Sequence, residues 1–461
     1  MARTLQQPGT SAQCPLPPAY SQAEMKDVPD QQTLRPLGPW RSAIDWHAKG
    51  FPVIESPIEP SDVAAQGWNL FDGRFLLPTV VLHLAALDSN IALIAAFCAA
   101  HRVSLAPHGK TTMAPDIFAR QLAAGAWAMT LATPWQARVA ATVGVPRILI
   151  GNEVTDPAGI DWIGSTLDGI GPEVYCWVDS VAGVRLLDAR LGGHERRLPV
   201  LLEVGPVGGR GGVRTLEQAL EVADAVAASA PLRLAGVTCF EGLANGASQA
   251  DQDAAVRSLM GFARDVARAL DTPIAADGGT EILLSAGGSQ YLDIVVNALA
   301  APLGTRLPVH GVLRSGGTVS HDHGGMDLVS PFGSVRAADG PQLQPALEVW
   351  APVVSTPEPG RAIVGAGKRD LPHDGAMPLV IGARGPAGAI RRLKDDSGIR
   401  AVRLNDQHAW LDVAPDADVS LAVGDLVAFG VRHACTAFDR WRFIPVVDDT
   451  YGVIDAFETV F

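Results

Sequence analysis

The strongest constraint on the fold is a regular alternation of short apolar strands with helical segments, which begins near residue 78 and continues for about 220 residues. The strands are apolar throughout, as expected for parallel strands buried on both faces of a sheet. They comprise TVVLHL (79–84), VSLAPH (103–108), WAMTLAT (127–133), RILIGN (147–152), VYCWVD (174–179), LPVLLEVG (198–205), RLAGVTCFEG (233–242) and EILLSAGGSQ (281–290). Eight such units predict an α/β fold and favour a closed (β/α)8 TIM-type barrel over an open doubly wound sheet.

The alternation ends after about residue 305, where short strand-like pieces are separated by glycine, proline and aspartate. This pattern is typical of an antiparallel β domain. We therefore predict a barrel over 75–310 and a C-terminal β domain over 311–461, which takes in part of 41–74. Residues 1–40 are rich in proline, glutamine and serine and predict an extended, poorly ordered arm.

Composition excludes several classes of function. The formal charge of −13, without a lysine or arginine run, argues against nucleic acid or an anionic membrane as a partner. The chain has neither a signal-peptide core nor an apolar run long enough to span a membrane. Its five cysteines form no CxxC pair and suit a reducing compartment. These features predict a soluble cytoplasmic protein.

Lys110 is the first candidate for chemistry, because it follows the strand around 103–108 in the stretch SLAPHGKTTMAP (104–115). Barrel enzymes place their catalytic groups at the carboxyl ends of the strands. Neutral and apolar neighbours would lower the pKa of this lysine and favour the nucleophilic amine that a Schiff base requires. The alternative is an ordinary surface lysine beyond the end of a strand.

Two glycine-rich stretches are candidate ligand-binding loops. Gly287, Gly288 and Ser289 follow the predicted last barrel strand and precede a helical segment, an arrangement that can hold a phosphate through backbone N–H groups. The alternative is a tight turn that needs glycine for its dihedral angles. Arg210, in GRGGVR (209–214), could reach an anionic group of a ligand or could face solvent.

His433 and Cys435, in FGVRHACTAF (429–438), are a candidate metal pair. On extended chain, side chains two positions apart lie on the same side, and imidazole with thiolate suits zinc. Two protein ligands would leave coordination positions for water or substrate. A coincidental His-x-Cys spacing is the alternative interpretation.

In their order along the chain, these features resemble the D-serine dehydratase/D-threonine aldolase family of fold-type III pyridoxal 5′-phosphate (PLP) enzymes, which is distantly akin to alanine racemase. PHGKTTM (107–113) resembles the family's Pro-His-x-Lys-Thr signature, SAGGSQ (285–290) its phosphate-binding turn and GRGGV (209–213) its Arg-x-Gly segment. His433 and Cys435 match the pair that holds zinc in eukaryotic-type D-serine dehydratases. Aldolase members of that family tend to have a carboxylate residue at the second position of this pair, where this chain has Cys435.

The resemblance covers about residues 75–445 and implies PLP and zinc as cofactors. It makes Lys110 the catalytic lysine that carries PLP, and His433 and Cys435 the metal ligands. The residues that it implies for cofactor binding are Lys110, His108, Arg210, Phe240, Gly287, Gly288 and Ser289. The family is typically dimeric, so we expect a homodimer in which the metal pair reaches its own barrel or its neighbour's.

The implied function is that of a PLP- and zinc-dependent lyase on D-β-hydroxy amino acids, of the type that converts D-serine to pyruvate and ammonia. Cleavage of the Cα–Cβ bond, as in D-threonine aldolase, is the alternative. Two positions depart from the family pattern: Thr112 stands where many relatives have histidine, and Phe240 where they usually have tyrosine. A PLP-binding protein without lyase activity, or a barrel for another phosphorylated ligand, is therefore a further alternative.

Overall fold

The structure is a computed structural model that describes residues 40–461, except for 244, 245, 338, 387 and 395. The predicted N-terminal arm therefore lies, apart from residue 40, outside the described residues. None of the helices in the described part of the chain is long and apolar enough to cross a membrane.

Eight parallel strands of the described chain form the barrel. They are β2 (Ser104–Leu105), β3 (Met129–Leu131), β4 (Arg147–Glu153), β5 (Glu173–Val178), β6 (Leu198–Val204), β7 (Leu232–Phe240), β8 (Ile282–Gly287) and β9 (Val309–Leu313). Their order is β2-β9-β8-β7-β6-β5-β4-β3. The two end strands meet where Thr130 N donates to Pro107 O (2.9 Å) and His108 bridges Thr130. The predicted (β/α)8 barrel is confirmed.

Helices cover the outside of the barrel. They are α1 (Leu84–Ala100), α2 (Pro115–Ala123), α3 (Pro134–Thr142), α4 (Pro157–Thr166), α5 (Val181–Leu191), α6 (Leu216–Ala227), α7 (Gln249–Ala269), α8 (Asp271–Ala276) and α9 (Leu292–Ala300). Side-chain caps begin many of them: Thr133, Asp156 and Ser180 each accept a hydrogen bond from the backbone three residues on. Such caps satisfy N–H groups that have no partner inside the helix and so define where each helix starts.

The sequence assigned one barrel strand wrongly. TVVLHL was predicted as the first barrel strand, but β1 (Thr79–His83) pairs with the C-terminal part of the chain instead. The barrel takes β9 in its place, at the position where the predicted alternation ended. Both segments are short apolar runs, and such a run indicates a buried strand without identifying the sheet in which it is buried.

The second domain is an antiparallel sheet around β1. Its other strands are β10 (Leu347–Glu358), β11 (Arg361–Val364), β12 (Leu379–Arg384), β13 (Arg391–Arg392), β14 (Ile399–Leu404), β15 (Ala409–Val413), β16 (Leu426–Gly430), β17 (Phe443–Val447) and β18 (Val453–Glu458). The central path runs β12-β16-β10-β1-β17-β18, and β1 is parallel only to β17. Residues 44–75 pack on one face of this sheet through Ile44, Phe51 and Trp68. The predicted C-terminal antiparallel β domain is therefore present.

A buried asparagine in α1 ties the barrel to the segment that leads into the second domain. Asn90 Nδ2 donates to Gln344 O (2.7 Å) and Val319 O (3.1 Å), and Asn90 Oδ1 accepts from Gln344 N (2.8 Å). All three partners are backbone groups, so they have no side chain that could rotate to find another partner. Asn90 therefore holds the connection between the two domains in one position.

We expect Asn90→Ala to lower the free energy of unfolding by about 3 kcal/mol, because it leaves buried backbone groups without partners. The change is measured as the shift of the urea or thermal midpoint. Ser89→Ala, on the exposed side of the same helix, is the matched control and should change stability by less than about 0.5 kcal/mol. Equal stability of the two variants would contradict the clamp that we assign to Asn90.

Candidate active site at the barrel mouth

Lys110 lies at the mouth of the barrel, in the single turn Gly109–Thr111 that follows β2. Gly109 packs so closely that a Cβ there would be 2.7 Å from the ring of Phe118. This close packing fixes the turn; the side chain of Lys110 extends from it and stays partly exposed, although the surrounding groups remove part of its hydration. No described residue forms a hydrogen bond or ion pair with Lys110 Nζ. Loss of hydration, together with the positive charges of Arg210 and Arg314, lowers the pKa of this amine.

His108 precedes this turn and is held by its backbone bridge to Thr130. Its Nδ1 is buried and has no hydrogen-bond partner among the described residues. Burial, and then the positive charge of Lys110, holds the pKa of His108 well below its ordinary value. The imidazole is therefore neutral at pH 7 and adds no further charge beside the lysine.

Arg210 lies in the loop that follows β6, and its guanidinium is 5.6 Å from the centre of the Phe240 ring. The loop folds back on the strand, because Val213 N donates to Glu203 O (2.9 Å). Within the described chain no carboxylate pairs with Arg210, so its charge is available to a ligand. Arg210 lies close enough to Lys110 for its positive charge to lower the pKa of that lysine.

The Gly287–Ser289 turn ends the seventh barrel strand in chain order, β8, and not the last one as the sequence predicted. Close approach requires glycine at 288, where a Cβ would overlap Glu241 Oε1, and leaves little room at 287, where a Cβ would be 3.1 Å from Arg314 Nη1. Gly288 also has a φ of +136°, which favours glycine. Ser289 Oγ lies at the mouth beside the loop that follows β9.

That second loop was missed by the sequence analysis. Ser289 Oγ lies 2.9 Å from Ser315 Oγ and accepts from Gly317 N (3.1 Å), while Ser315 Oγ lies 3.0 Å from Thr318 Oγ1. The stretch RSGGT (314–318) follows a barrel strand just as SAGGS (285–289) does. It would have been recognised if the barrel had not been predicted to end at residue 310.

Arg314 forms the buried base of these two loops and was also missed. It is 5% exposed, and it donates from Nε to Ser285 Oγ (2.8 Å) and from Nη2 to Cys239 O (2.6 Å). These acceptors are neutral and do not cancel its charge. The two glycine–serine loops therefore lie over a fixed positive charge, which suits an anion such as phosphate.

Acidic side chains are also buried at the mouth. Glu153 and Glu203 lie close together beneath the Arg210 loop, where a Cβ on Gly211 would be 2.6 Å from Glu203 Oε2 and 3.8 Å from Glu153 Oε1. Burial and the adjacent Glu203 raise the pKa of Glu153. Glu241, the first residue after β7, is 1% exposed, and burial raises its pKa to about 8. The carboxyls Glu153 and Glu241 thus retain protons that exposed acids would have lost.

The second domain brings His433 and Cys435 to the same mouth. Cys435 Sγ lies 3.4 Å from Thr111 Oγ1, so the metal pair is adjacent to the lysine turn of its own chain. The sequence predicted both residues on extended chain, and only His433 has extended dihedral angles. Strand β16 ends at Gly430, before the pair begins. Cys435 belongs to the single turn Ala434–Thr436, which directly follows His433.

Asp374 orients the histidine of the pair. His433 Nδ1 donates to Asp374 Oδ2 (2.5 Å), and Thr436 Oγ1 donates to Asp374 Oδ1 (2.7 Å). The hydrogen bond to Cys435, and then Asp374, raises the pKa of His433 to about 9. Burial of Cys435 opposes ionisation, but contact with His433 and Thr111 lowers the pKa of its thiol overall. A carboxylate that holds one imidazole nitrogen leaves the other free, as around zinc-binding histidines.

Within the described residues, no group of three or more histidine, cysteine or acidic side chains is arranged to hold a metal. The pair His433–Cys435 therefore offers two protein donors of the types that zinc prefers, with Asp374 behind one of them. Any metal held here would keep positions open for water or substrate.

Two family models match the chain, one for each domain. The model of the alanine racemase N-terminal domain matches residues 82–295, and a putative serine dehydratase domain matches residues 346–447. Their order along the chain is that of the barrel and the β domain.

Curated relatives cover most of the chain. Over 368 residues the chain is 26% identical to a 3-hydroxy-D-aspartate aldolase of Paracoccus denitrificans, which spans 77% of this chain and 84% of the relative. Over 410 residues it is 25% identical to a D-threonine aldolase of Arthrobacter sp, which spans 87% of this chain and 94% of the relative.

Solved structures share the fold over nearly the whole of their length. The D-threonine aldolase of Filomicrobium marinum has a TM-score of 0.70 at 23% identity, covering 87% of this chain and 98% of its own. The D-threo-3-hydroxyaspartate dehydratase of Delftia sp. HT23 has a TM-score of 0.63 at 22% identity, covering 84% and 97%. Together with the two domain models, these similarities show that the chain resembles the D-serine dehydratase/D-threonine aldolase-like family of fold-type III PLP enzymes and has an alanine racemase-like barrel.

Proposed function

We propose that the chain is a PLP- and zinc-dependent lyase that removes the β-hydroxyl group of D-β-hydroxy amino acids, in the manner of D-serine conversion to pyruvate and ammonia. The observation that carries this proposal is the meeting of two sets of groups at one barrel mouth. Lys110, whose amine has no hydrogen-bond or ion-pair partner among the described residues, lies beside the His433–Cys435 pair, and Thr111 contacts Cys435 directly.

The residues at the mouth fit PLP. Lys110 is a free amine of lowered pKa, as covalent attachment of an aldehyde requires. The loops that contain Ser289 and Ser315 lie over Arg314 and suit the phosphate. Arg210 is available for the ring. When bound, PLP supplies an electron sink that stabilises negative charge at the substrate's Cα.

Lys110 is the base that takes the α-proton in this proposal. A lowered pKa increases the fraction of neutral amine at pH 7, and only the neutral amine can accept a proton. Burial keeps the imidazole of His108 neutral, so it adds no charge to those that Arg210 and Arg314 already bring to Lys110. Glycines 109 and 288 bring the backbone close to neighbouring side chains, which limits the movement of the loops around the lysine.

His433 and Cys435 are the residues that would hold zinc. Asp374 fixes the Nδ1 side of His433, which leaves Nε2 for a metal, and the thiol of Cys435 has a lowered pKa. Zinc would supply a Lewis acid for the substrate's β-oxygen. D-threo-3-hydroxyaspartate dehydratase, which has the same fold, has also been solved as two alanine variants. One replaces a histidine, and the other replaces a cysteine two positions later and is in a metal-free form. The spacing is the same as that of His433 and Cys435.

Cleavage of the Cα–Cβ bond is the second candidate reaction, and it is favoured by the two curated relatives described above, both of which are aldolases. The same base and the same metal pair would serve it, with the β-hydroxyl losing its proton in place of leaving. Incubation with D-serine, D-threonine and D-threo-3-hydroxyaspartate distinguishes the two. A keto acid and ammonia indicate dehydration, whereas glycine and an aldehyde indicate cleavage. If protein that has bound PLP forms neither set of products, the chain is a cofactor-binding protein without lyase activity.

Replacement of Lys110 by alanine should abolish the visible absorption band that borohydride bleaches in the PLP-loaded protein, and should lower kcat by at least about 1,000-fold, because attachment and base are lost together. The measurements are the absorption spectrum and the rate of keto acid release. Lys394→Ala removes an exposed lysine of the β domain and is the control. A borohydride-sensitive band that persists in Lys110→Ala would place the cofactor on another lysine.

Asp374→Asn should weaken zinc binding by about 10–100-fold, because it removes the charge that orients His433. Cys435→Ala, which removes a ligand, should weaken it further. Bound zinc is measured by titration with a chromogenic chelator, alongside activity before and after metal removal. Asp416→Asn changes an exposed aspartate of the same domain and should have no effect. Activity that survives thorough removal of the metal would refute the role of the pair.

A further inference from the structure

We propose that Glu241 is a positioning residue for the phosphate of the cofactor: as a neutral carboxylic acid it forms one side of the phosphate site against Gly288, and its ionisation weakens phosphate binding. This inference rests on the proposed function, since it concerns how PLP is held. It adds an acidic residue to a site that would otherwise be understood through Arg314 and the glycine–serine loops alone.

The position of Glu241 follows from the strand before it. The residue begins the turn Glu241–Leu243 immediately after β7, and its side chain runs under the neighbouring β8 loop. The carboxyl group packs directly on the Cα of Gly288, since any Cβ there would overlap Oε1. A residue larger than glycine at 288 would therefore displace the acid.

The carboxyl group is buried, and within the described part of the chain it has no hydrogen-bond partner. Glu241 is 1% exposed, and neither Oε1 nor Oε2 has a hydrogen-bond partner among the described residues. A buried acid in this state loses the free energy of hydration without compensation, so a ligand that accepts or supplies a hydrogen bond would recover part of it. The turn that we assign to phosphate, Gly287–Ser289, packs against this carboxyl group at Gly288.

Arg314 lies next to Glu241 without forming an ion pair with it. The guanidinium contacts the neighbouring glycine, Gly287, and is held by Ser285 and Cys239 instead. The two glycines of the turn thus lie over opposite groups, Gly287 over a cation and Gly288 over an acid. Because Arg314 donates to neutral acceptors, its positive charge remains to attract an anion.

The remaining charged and titratable groups around Glu241 do not change this balance. Arg314, directly after β9, favours the ionised acid, whereas Cys239 on β7 and Tyr291 before α9 face it as neutral groups. Burial outweighs Arg314 and raises the pKa of Glu241 to about 8. At pH 7 the acid is mostly protonated and has one O–H to donate. At pH 9 it is mostly a carboxylate, which repels a phosphate.

The sign of the effect follows from proton linkage. Phosphate binding favours the protonated acid, so the affinity is highest below the pKa of Glu241 and falls as the pH rises through it. With that pKa near 8, the dissociation constant for a phosphate-bearing ligand should rise roughly tenfold between pH 7 and pH 9. The phosphate itself has its second pKa near 6 and changes charge little in this range.

The test is to titrate the apoprotein with PLP and with pyridoxal, which lacks the phosphate, at pH 7 and pH 9, following protein fluorescence. For each ligand, the dissociation constant at pH 9 is divided by the dissociation constant at pH 7. In the wild type this ratio should be about ten times larger for PLP than for pyridoxal. Effects of pH on Lys110 act on both ligands and cancel in this comparison. Equal losses for PLP and pyridoxal would overturn the proposal, even if no variant could be prepared.

Glu241→Gln supplies the matched variant, because the amide keeps the shape of the acid and cannot ionise. The excess loss of PLP affinity at high pH should disappear in Glu241→Gln and persist in Glu217→Gln, which changes an exposed glutamate of α6. A Glu241→Gln protein with the wild-type pH profile would overturn the assignment. Wild-type protein that binds neither PLP nor pyridoxal at any pH would instead refute the proposed function, so the two failures are distinct.

Discussion

The pairing of β1 with the C-terminal sheet is the constraint on which the rest of the site depends. β1 lies between β10 and β17, with Leu82 opposite Leu347 on one side and Val446 on the other. The chain passes from β1 at His83 directly into α1 at Leu84, without a linker.

Because the β domain includes a strand from before the barrel, it cannot rotate freely about its later connection. Asn90 restrains that later connection as well, through Gln344 and Val319. The two attachments fix where the turn Ala434–Thr436 lies. It therefore meets the turn Gly109–Thr111, and the contact between Thr111 and Cys435 is a consequence of the topology.

Electrostatics explains why this mouth suits an anionic ligand on a chain whose formal charge is −13. Lys110, Arg210 and Arg314 bring three positive charges together: the charges of Arg210 and Arg314 lower the pKa of Lys110, and the charge of Arg210 lowers the pKa of Arg314. The acids Glu153 and Glu241 would cancel part of this charge if they were ionised. Burial raises the pKa of both, so the local balance stays positive.

Much of the fold was predictable from the sequence, because strand count and helix alternation depend on local patterns of apolar residues. The exchange of TVVLHL (79–84) for VHGVL (309–313) was not predictable, since both strands are apolar and pairing partners are chosen by tertiary packing. The predicted number of barrel strands was still eight, because one strand was wrongly included and another was left out. The same error assigned the loop after β9, which contains Arg314 and Ser315, to the wrong domain, so its part in the site was missed.

The site shows the same division between local and long-range information. Lys110, Arg210 and the Gly287–Ser289 turn follow strands, so the rule that barrel chemistry lies at the carboxyl ends of strands located them. Asp374 and Glu241 were missed because their importance depends on contacts with His433 and Gly288, which lie 59 and 47 positions further along the chain. Acidic residues in loops are common, and only burial or a partner distinguishes a functional one.

The two domains divide the proposed chemistry between them. Groups that act at Cα, above all Lys110, come from the barrel, whereas the groups assigned to the β-oxygen, His433 and Cys435, come from a turn of the β domain. A change in that turn or in Asp374 can therefore alter the fate of the β-hydroxyl without disturbing attachment of the cofactor. In the proposed mechanism, the choice between loss of the β-hydroxyl group and cleavage of the Cα–Cβ bond therefore depends on the short segment after β16.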